Sequence, residues 1–132
     1  MAYTILHTKD DGIITTYSGT VDDAEYIESI KKRWSNDDVT KNCRYVISDF
    51  SGVESLKLTS YGIQQSAKIC TKASQFNHSI FIVGILPTDL EYGMARMWQS
   101  YSDDTGWESF PARNLDEAHH WLDEKLKNVR SK

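Results

Sequence analysis

Residues 44–62, RYVISDFSGVESLKLTSYG, decide the fold of this chain. The run begins with strand-forming residues and predicts a central strand over 44–50 that is buried on both faces. A loop is expected over 52–58, after which Thr59 and Ser60 are suited to cap the first turn of a helix. Because open α/β sheets bind their ligands at the carboxyl ends of strands, this stretch is also the first place to look for a functional site.

On both sides of this central strand, patterns typical of strands and of helices alternate along the chain. Strands over 3–8 and 13–19, joined by the turn at 9–12, predict a hairpin. Helical spacing and capping residues predict helices over 22–34 and 60–76, a third that starts at 88 and stops at 103–106, and a fourth that starts at 114. Residues 35–42 are expected to form a loop, and strands are expected over 79–86 and 107–110, the last at a sheet edge because Pro111 follows it.

The resulting order, β-β-α-β-α-β-α-β-α, predicts a single α/β domain over residues 1–127. Alternation after the first hairpin favours a mixed sheet of about five strands with four helices packed on it. Residues 128–132 are expected to be a frayed C-terminal tail.

Composition narrows the class of protein. The 132 residues are 39% hydrophobic and 26% charged, as in an ordinary globular domain. The net charge of −4 counts against nucleic acid and against anionic membrane surfaces as partners. No apolar run approaches the roughly 20 residues of a membrane-spanning helix, and no signal peptide is recognisable. Cys43 and Cys70 are expected to be reduced, buried thiols of a cytoplasmic protein.

Catalytic and metal-binding motifs are weak in this sequence. Asp49 and Ser51 follow the central strand, but the favoured interpretation is structural, with both side chains bonding to nearby backbone amides. No histidine or glutamate is tied to Asp49 by spacing, so no catalytic residue is assigned and an enzyme is the least favoured hypothesis. The adjacent His119 and His120 point about 100° apart on a helix, so no metal site and no cofactor are predicted.

Two hypotheses for binding remain open. The predicted helix over 60–76 has a polar face that could contact a protein partner, formed by Tyr61, Gln64, Gln65, Lys68 and Lys72. Together with Asp49, Ser51 and Ser60 this face makes up the predicted partner-binding surface. The third helix carries a stripe of large apolar residues, Met94, Met97, Trp98 and Tyr101, which forms either filled core or, with Trp107, a pocket for a small apolar ligand.

Two stretches carry a resemblance to a known family. VISDFSGVESLKLTSYGI, at 46–63, resembles the strand–loop–helix of STAS domains, the anti-sigma-factor antagonists of the SpoIIAA type. YGMARMWQSYSDDTGWESFPARNLDEAHHWL, at 92–122, is more closely similar to a bacterial subgroup of SpoIIAA-like proteins. The resemblance implies a β/α superhelical fold that is shared with CRAL-TRIO lipid-transfer domains, and it implies a binding or regulatory module without enzymatic activity.

The motif glycine of the family aligns with Gly62. This alignment places Tyr61 where STAS regulators carry their phosphorylated serine, and Thr59 where they carry aspartate. Ser60 matches only the serine that is not phosphorylated, although it is still a candidate for modification. The resemblance therefore predicts protein–protein interaction without the usual serine switch. The alternative hypothesis is a carrier or sensor of a lipid-like ligand. A homodimer is compatible with the predicted edge strand.

Overall fold

A computed structural model describes residues 2–130 of the chain. Its strands are β1 (Tyr3–His7), β2 (Gly12–Asp22), β3 (Tyr45–Lys57), β4 (Phe81–Ile85) and β5 (Glu108–Ala112). Its helices are α1 (Asp23–Arg33), α2 (Asp37–Asn42), α3 (Ser60–Ala73), α4 (Asp89–Tyr101) and α5 (Leu115–Arg130), with a 3-10 turn at Asp103–Thr105. The predicted α/β class is confirmed.

All five strands belong to one mixed sheet, whose spatial order β1-β2-β3-β4-β5 is also their order along the chain. β1 and β2 pair antiparallel, as the hairpin prediction required, and β2 to β5 pair parallel. Parallel neighbours need a crossover connection, and helices supply it between each pair of parallel strands. β5 is an edge strand and contains Pro111 opposite Gly84, which agrees with the edge position predicted from the proline.

Helices cover both faces of the sheet. Val46 of β3 packs in one cluster with Ile30 of α1 and Cys70 of α3, whereas the next residue, Ile47, packs in another cluster with Ala118 of α5. Successive side chains of a strand point to opposite faces, so these two clusters lie on opposite sides of the sheet. The central strand is therefore buried on both faces in its first half, as expected from its apolar run.

One helix was missed in the sequence. Residues 35–42 were predicted to be a loop, but α2 occupies Asp37–Asn42, so residues 2–130 contain five α-helices instead of the predicted four. The side chain of Asn36 caps α2 by accepting a hydrogen bond of 3.1 Å from the Val39 backbone N–H. A six-residue helix is too short to show a helical hydrophobic period, which explains the error.

The loop predicted over 52–58 is also wrong, because β3 continues to Lys57. This second half of β3 pairs with the end of β2, and β3 contains the extra residues at two register shifts. Asp49 lies opposite Thr16, for example, whereas Gly52 lies opposite Ser18. Such bulges bend a strand and increase its twist while they preserve its pairing.

Large apolar residues near the ends of the last two helices are exposed. Leu90, Tyr101 and Leu115 are exposed, so Tyr101 of the predicted apolar stripe is not core, whereas Ala118 and Leu122 near the middle of α5 are buried. Helix α5 continues to Arg130, and no glycine or proline interrupts it, so helix extends into the range of the predicted tail. Of the predicted tail over 128–132, residues 131 and 132 lie outside the described residues.

Candidate functional site

The N-termini of α1 and α3 lie side by side, joined by one carboxylate. The Thr59 backbone N–H donates to Asp23 Oδ1 over 2.8 Å, and the Thr59 hydroxyl donates to Asp23 Oδ2 over 2.5 Å. Thr59 is the N-cap of α3 and accepts from the Gly62 backbone N–H at 3.5 Å. Asp23, in the first turn of α1, thus places a negative charge at the positive end of the α3 dipole.

Gly62 makes this arrangement possible. A Cβ atom at position 62 would overlap the Asp23 carboxylate, because Oδ1 occupies the space that the side chain would need. Gly62 is therefore explained by a close approach between two helices. The backbone of α3 itself does not require a glycine at this position, since residue 62 lies within a regular helix.

Six of the predicted partner-binding residues form one exposed stripe along α3, which we call the α3 surface: Ser60, Tyr61, Gln64, Gln65, Lys68 and Lys72. Four of them are exposed, and the two glutamines are half-buried. Their spacing of three and four residues places them on one side of the helix. Tyr61 is the aromatic member of this stripe, with 62% of its surface exposed.

Tyr101 belongs beside this surface and not in the predicted pocket. Its hydroxyl accepts a hydrogen bond of 3.0 Å from the Gln64 side-chain amide, which links the end of α4 to the middle of α3. Tyr101 is 44% exposed. One exposed tyrosine ring therefore lies on the α3 surface and a second lies beside it, and no ion pair within residues 2–130 neutralises Lys68 or Lys72.

Asp49 and Ser51, the other two residues of the predicted surface, lie away from α3. Asp49 Oδ1 accepts from the Ser51 backbone N–H over 2.9 Å and from the Ser51 hydroxyl over 2.7 Å, at the first register shift of β3. Alternation along β3 places Asp49 on the α5 face of the sheet, whereas α3 lies on the other face. These two residues order the bulge, which is the structural role favoured from the sequence.

A cavity of about 70 Å³ lies between α4 and the sheet. Met94 and Trp98 line it, as the predicted apolar pocket required, together with Ile82 from the sheet. Met97, Tyr101 and Trp107 are not among its lining residues. Trp107 instead packs its ring 5.2 Å from that of Trp34 and donates from Nε1 to a backbone carbonyl.

Arg33 also lines this cavity, and sequence reasoning missed it. Only 4% of its surface is exposed. Its guanidinium donates from Nε and Nη2 to the Thr15 hydroxyl, at 3.2 and 3.0 Å, and from Nη2 to the Ser48 hydroxyl at 3.2 Å. The signal was available, because Arg33 follows the inward-facing Ile30 by three residues and therefore shares its side of α1.

The described part of the chain offers no cluster of three or more His, Cys, Asp and Glu side chains arranged to hold a metal ion. His7, His78, His119 and His120 are all exposed and lie on separate elements, apart from the adjacent pair on α5. Cys43 and Cys70 are free and buried. Burial raises the pKa of both thiols to about 11, which leaves them protonated and unreactive near neutral pH.

This burial predicts slow thiol chemistry. At pH 8, a thiol pKa raised from 9.0 to about 11 lowers the thiolate fraction roughly a hundredfold. We expect both cysteines of the native protein to react with Ellman's reagent at least that much more slowly than in urea. Rapid reaction of either thiol in the native state would contradict its burial.

Comparisons with known proteins address the fold. No protein-family model matches the sequence, and no curated protein sequence matches it. Among solved structures, the chain is similar to the anti-sigma factor antagonist SpoIIAA in its unphosphorylated form, with a TM-score of 0.58 and 13% sequence identity. The alignment covers 99% of this chain and 100% of the SpoIIAA chain. No helix within the described range is long and apolar enough to cross a membrane. The chain therefore has the STAS-like fold of SpoIIAA, as the resemblance in its sequence predicted.

Proposed function

We propose that this protein is a non-enzymatic binding module that recognises another protein through its α3 surface. The observation that carries this proposal is the exposed stripe from Tyr61 to Lys72, where a large aromatic ring shares one side of α3 with two lysines that have no ion-pair partners in the described chain. Tyrosine is enriched among residues that dominate binding energy at interfaces. The lysines favour a partner that presents acidic side chains to this stripe.

The shared fold supports this proposal. SpoIIAA acts as an anti-sigma factor antagonist, which is a regulatory role, and the alignment spans the whole of both domains. A regulatory module needs no catalytic group. Asp49, the carboxylate considered for catalysis, accepts hydrogen bonds from Ser51 at a bulge. The two free, buried cysteines agree with a cytoplasmic location, where thiols stay reduced.

We further propose that this module works without the usual serine switch. Tyr61 occupies the position that aligns with the phosphorylated serine of STAS regulators, and the neighbouring Ser60 is exposed. The N-terminus of α3 already binds the Asp23 carboxylate through Thr59. A phosphate added at Ser60 would bring two negative charges next to that carboxylate, which disfavours the modified state. In this respect Asp23 supplies permanently the negative charge that phosphorylation would add.

The interaction is tested with a variant that changes only the α3 surface. We expect the double substitution Tyr61→Ala and Lys68→Glu to lower the affinity for the partner at least about tenfold, because it removes an aromatic anchor and reverses a charge. Immobilised protein would be exposed to an extract of the source organism at low and high salt. Retained proteins would be quantified by mass spectrometry.

The matched control is the double substitution His119→Ala and His120→Ala. These two side chains are exposed on α5, on the other side of the sheet from α3. A partner that is retained by the wild type and by the control, and lost by the α3 variant, supports the proposal. If the same proteins are retained by all three forms, the α3 surface is not the binding site.

A second candidate function is the carriage or sensing of a small, mainly apolar ligand. The cavity between α4 and the sheet favours it, because its lining is predominantly apolar. Its volume of about 70 Å³ is far below the roughly 300–1,000 Å³ of pockets that hold drug-sized molecules. In this conformation the cavity would accept a small molecule but not a whole lipid chain.

A further inference from the structure

Arg33 presents an unusual electrostatic problem. Its side chain is almost fully buried, yet no carboxylate among residues 2–130 forms an ion pair with it. Its hydrogen-bond acceptors are two neutral hydroxyl groups, those of Thr15 and Ser48. Its guanidinium carbon also lies 5.9 Å from the centroid of the Trp34 ring, which carries no net charge. Buried charges in proteins are normally paired, since transfer of an unpaired ion out of water is very unfavourable.

The same cavity is lined by a residue with a buried hydrogen-bond donor that has no acceptor within residues 2–130. Trp98 lines it alongside Arg33 and Ser48. The indole Nε1 of Trp98 is buried and has no hydrogen-bond partner within the described chain. Buried donors without acceptors are rare in native structures, and each calls for an explanation. A ligand that brings acceptor oxygens and a negative charge would complement both residues.

Glu91 also lines this cavity, and its negative charge would repel a bound anion. It is buried, but its Oε1 accepts from the Thr88 backbone N–H at 3.1 Å and from the Thr88 hydroxyl at 2.9 Å. These bonds form the capping box of α4 and hold the carboxylate at the positive end of that helix dipole. Glu91 therefore serves α4, and it makes no ion pair with Arg33.

We infer that the cavity binds the carboxylate of a small organic acid, with Arg33 as its counter-ion and the apolar walls around its short hydrocarbon part. Arginine suits this role because its planar guanidinium matches the geometry of a carboxylate. The cavity volume of about 70 Å³ limits the size of the ligand. It is roughly half that of an apolar cavity (about 150 Å³) that holds benzene. The inference sharpens the second function proposed above and is independent of the α3 surface.

The experiment compares two probes of nearly equal shape and different charge. ¹⁵N-labelled protein would be titrated with sodium propionate, with the neutral propionamide and with sodium chloride at matched ionic strength. The readout is the indole N–H resonance of Trp98, assigned by its loss in Trp98→Phe. We expect saturable shifts with propionate and an affinity at least about tenfold weaker for propionamide, because charged hydrogen bonds contribute more than neutral ones.

Two variants locate the site. Ala95→Leu would fill the cavity, and Arg33→Met would remove the cation, so either change should abolish the response to propionate. Equal affinity for propionate and propionamide would show that Arg33 does not act as a counter-ion. That result would still support a site for a small apolar ligand. Equal responses to propionate and chloride would indicate a site for simple anions and overturn the carboxylate assignment. If neither organic probe shifts the resonance, both the inference and the small-ligand function fail, and the protein-binding function is unaffected.

Discussion

Replacing Gly62 by alanine is expected to lower the free energy of unfolding by about 1–3 kcal/mol, as overpacking usually does. The new Cβ would collide with the Asp23 carboxylate and displace it from Thr59. The N-terminus of α3 would then lose an acceptor for one backbone N–H and one hydroxyl. Urea denaturation followed by circular dichroism would measure the change, provided that the slope of the transition stays constant.

Most of this effect should disappear when the Asp23 carboxylate is removed. In an Asp23→Ala background the Cβ of residue 23, 3.1 Å from the new methyl group, still crowds it, but the closer carboxylate atoms are gone. Alanine is also a better helix former than glycine by about 0.5–1 kcal/mol. We therefore expect Gly62→Ala to destabilise the Asp23→Ala variant much less than it destabilises the wild type. A double-mutant cycle gives this coupling directly. Equal destabilisation in both backgrounds would show that a contact other than Asp23 requires the glycine.

Replacing Arg33 by methionine is expected to raise the free energy of unfolding of the unliganded protein by about 1–3 kcal/mol. Methionine keeps much of the side-chain volume and removes a buried charge, and such replacements of buried ions are often neutral or stabilising. The hydroxyls of Thr15 and Ser48 lose a donor, but each can rotate to donate elsewhere. Urea and thermal denaturation would both report the gain.

Arg33→Lys is the matched control for this prediction. Lysine retains the buried charge but cannot reproduce the fixed fork of the guanidinium, so this variant should be less stable than the wild type. A stabilised methionine variant together with a destabilised lysine variant would show that the charge itself disfavours the fold. If methionine destabilises the protein by several kcal/mol, Arg33 is a structural residue and does not need a ligand as its counter-ion.

Much of the fold could be predicted because several local signals are strong and agree with one another. The Thr88–Glu91 capping box begins α4 as expected, and the apolar run of the central strand correctly indicated burial on both faces. The second half of β3 could not be predicted in the same way. It pairs with β2 and bulges twice, so its mixture of polar and apolar residues resembles a loop.

The candidate sites were harder to predict because they depend on contacts between distant elements. Asp23 was assigned only to the start of α1, and its bond to Thr59 spans 36 residues. Arg33 ends a run of basic residues that resembles a solvated helix end, and its spacing of three residues from Ile30 was the local sign that its side chain turns inward. The α3 surface was accessible to prediction, since its residues follow the period of a single helix.

The match between spatial and sequential strand order has a consequence for synthesis on the ribosome. Chains emerge N-terminus first, so every strand of this sheet leaves the ribosome after the neighbour on which it pairs. The sheet can grow by addition at one edge, and each incomplete stage exposes unpaired backbone groups to other nascent chains. β5 weakens this edge, because Pro111 has no N–H with which to template another strand. The last strand of this sheet thus carries a residue that hinders its further growth.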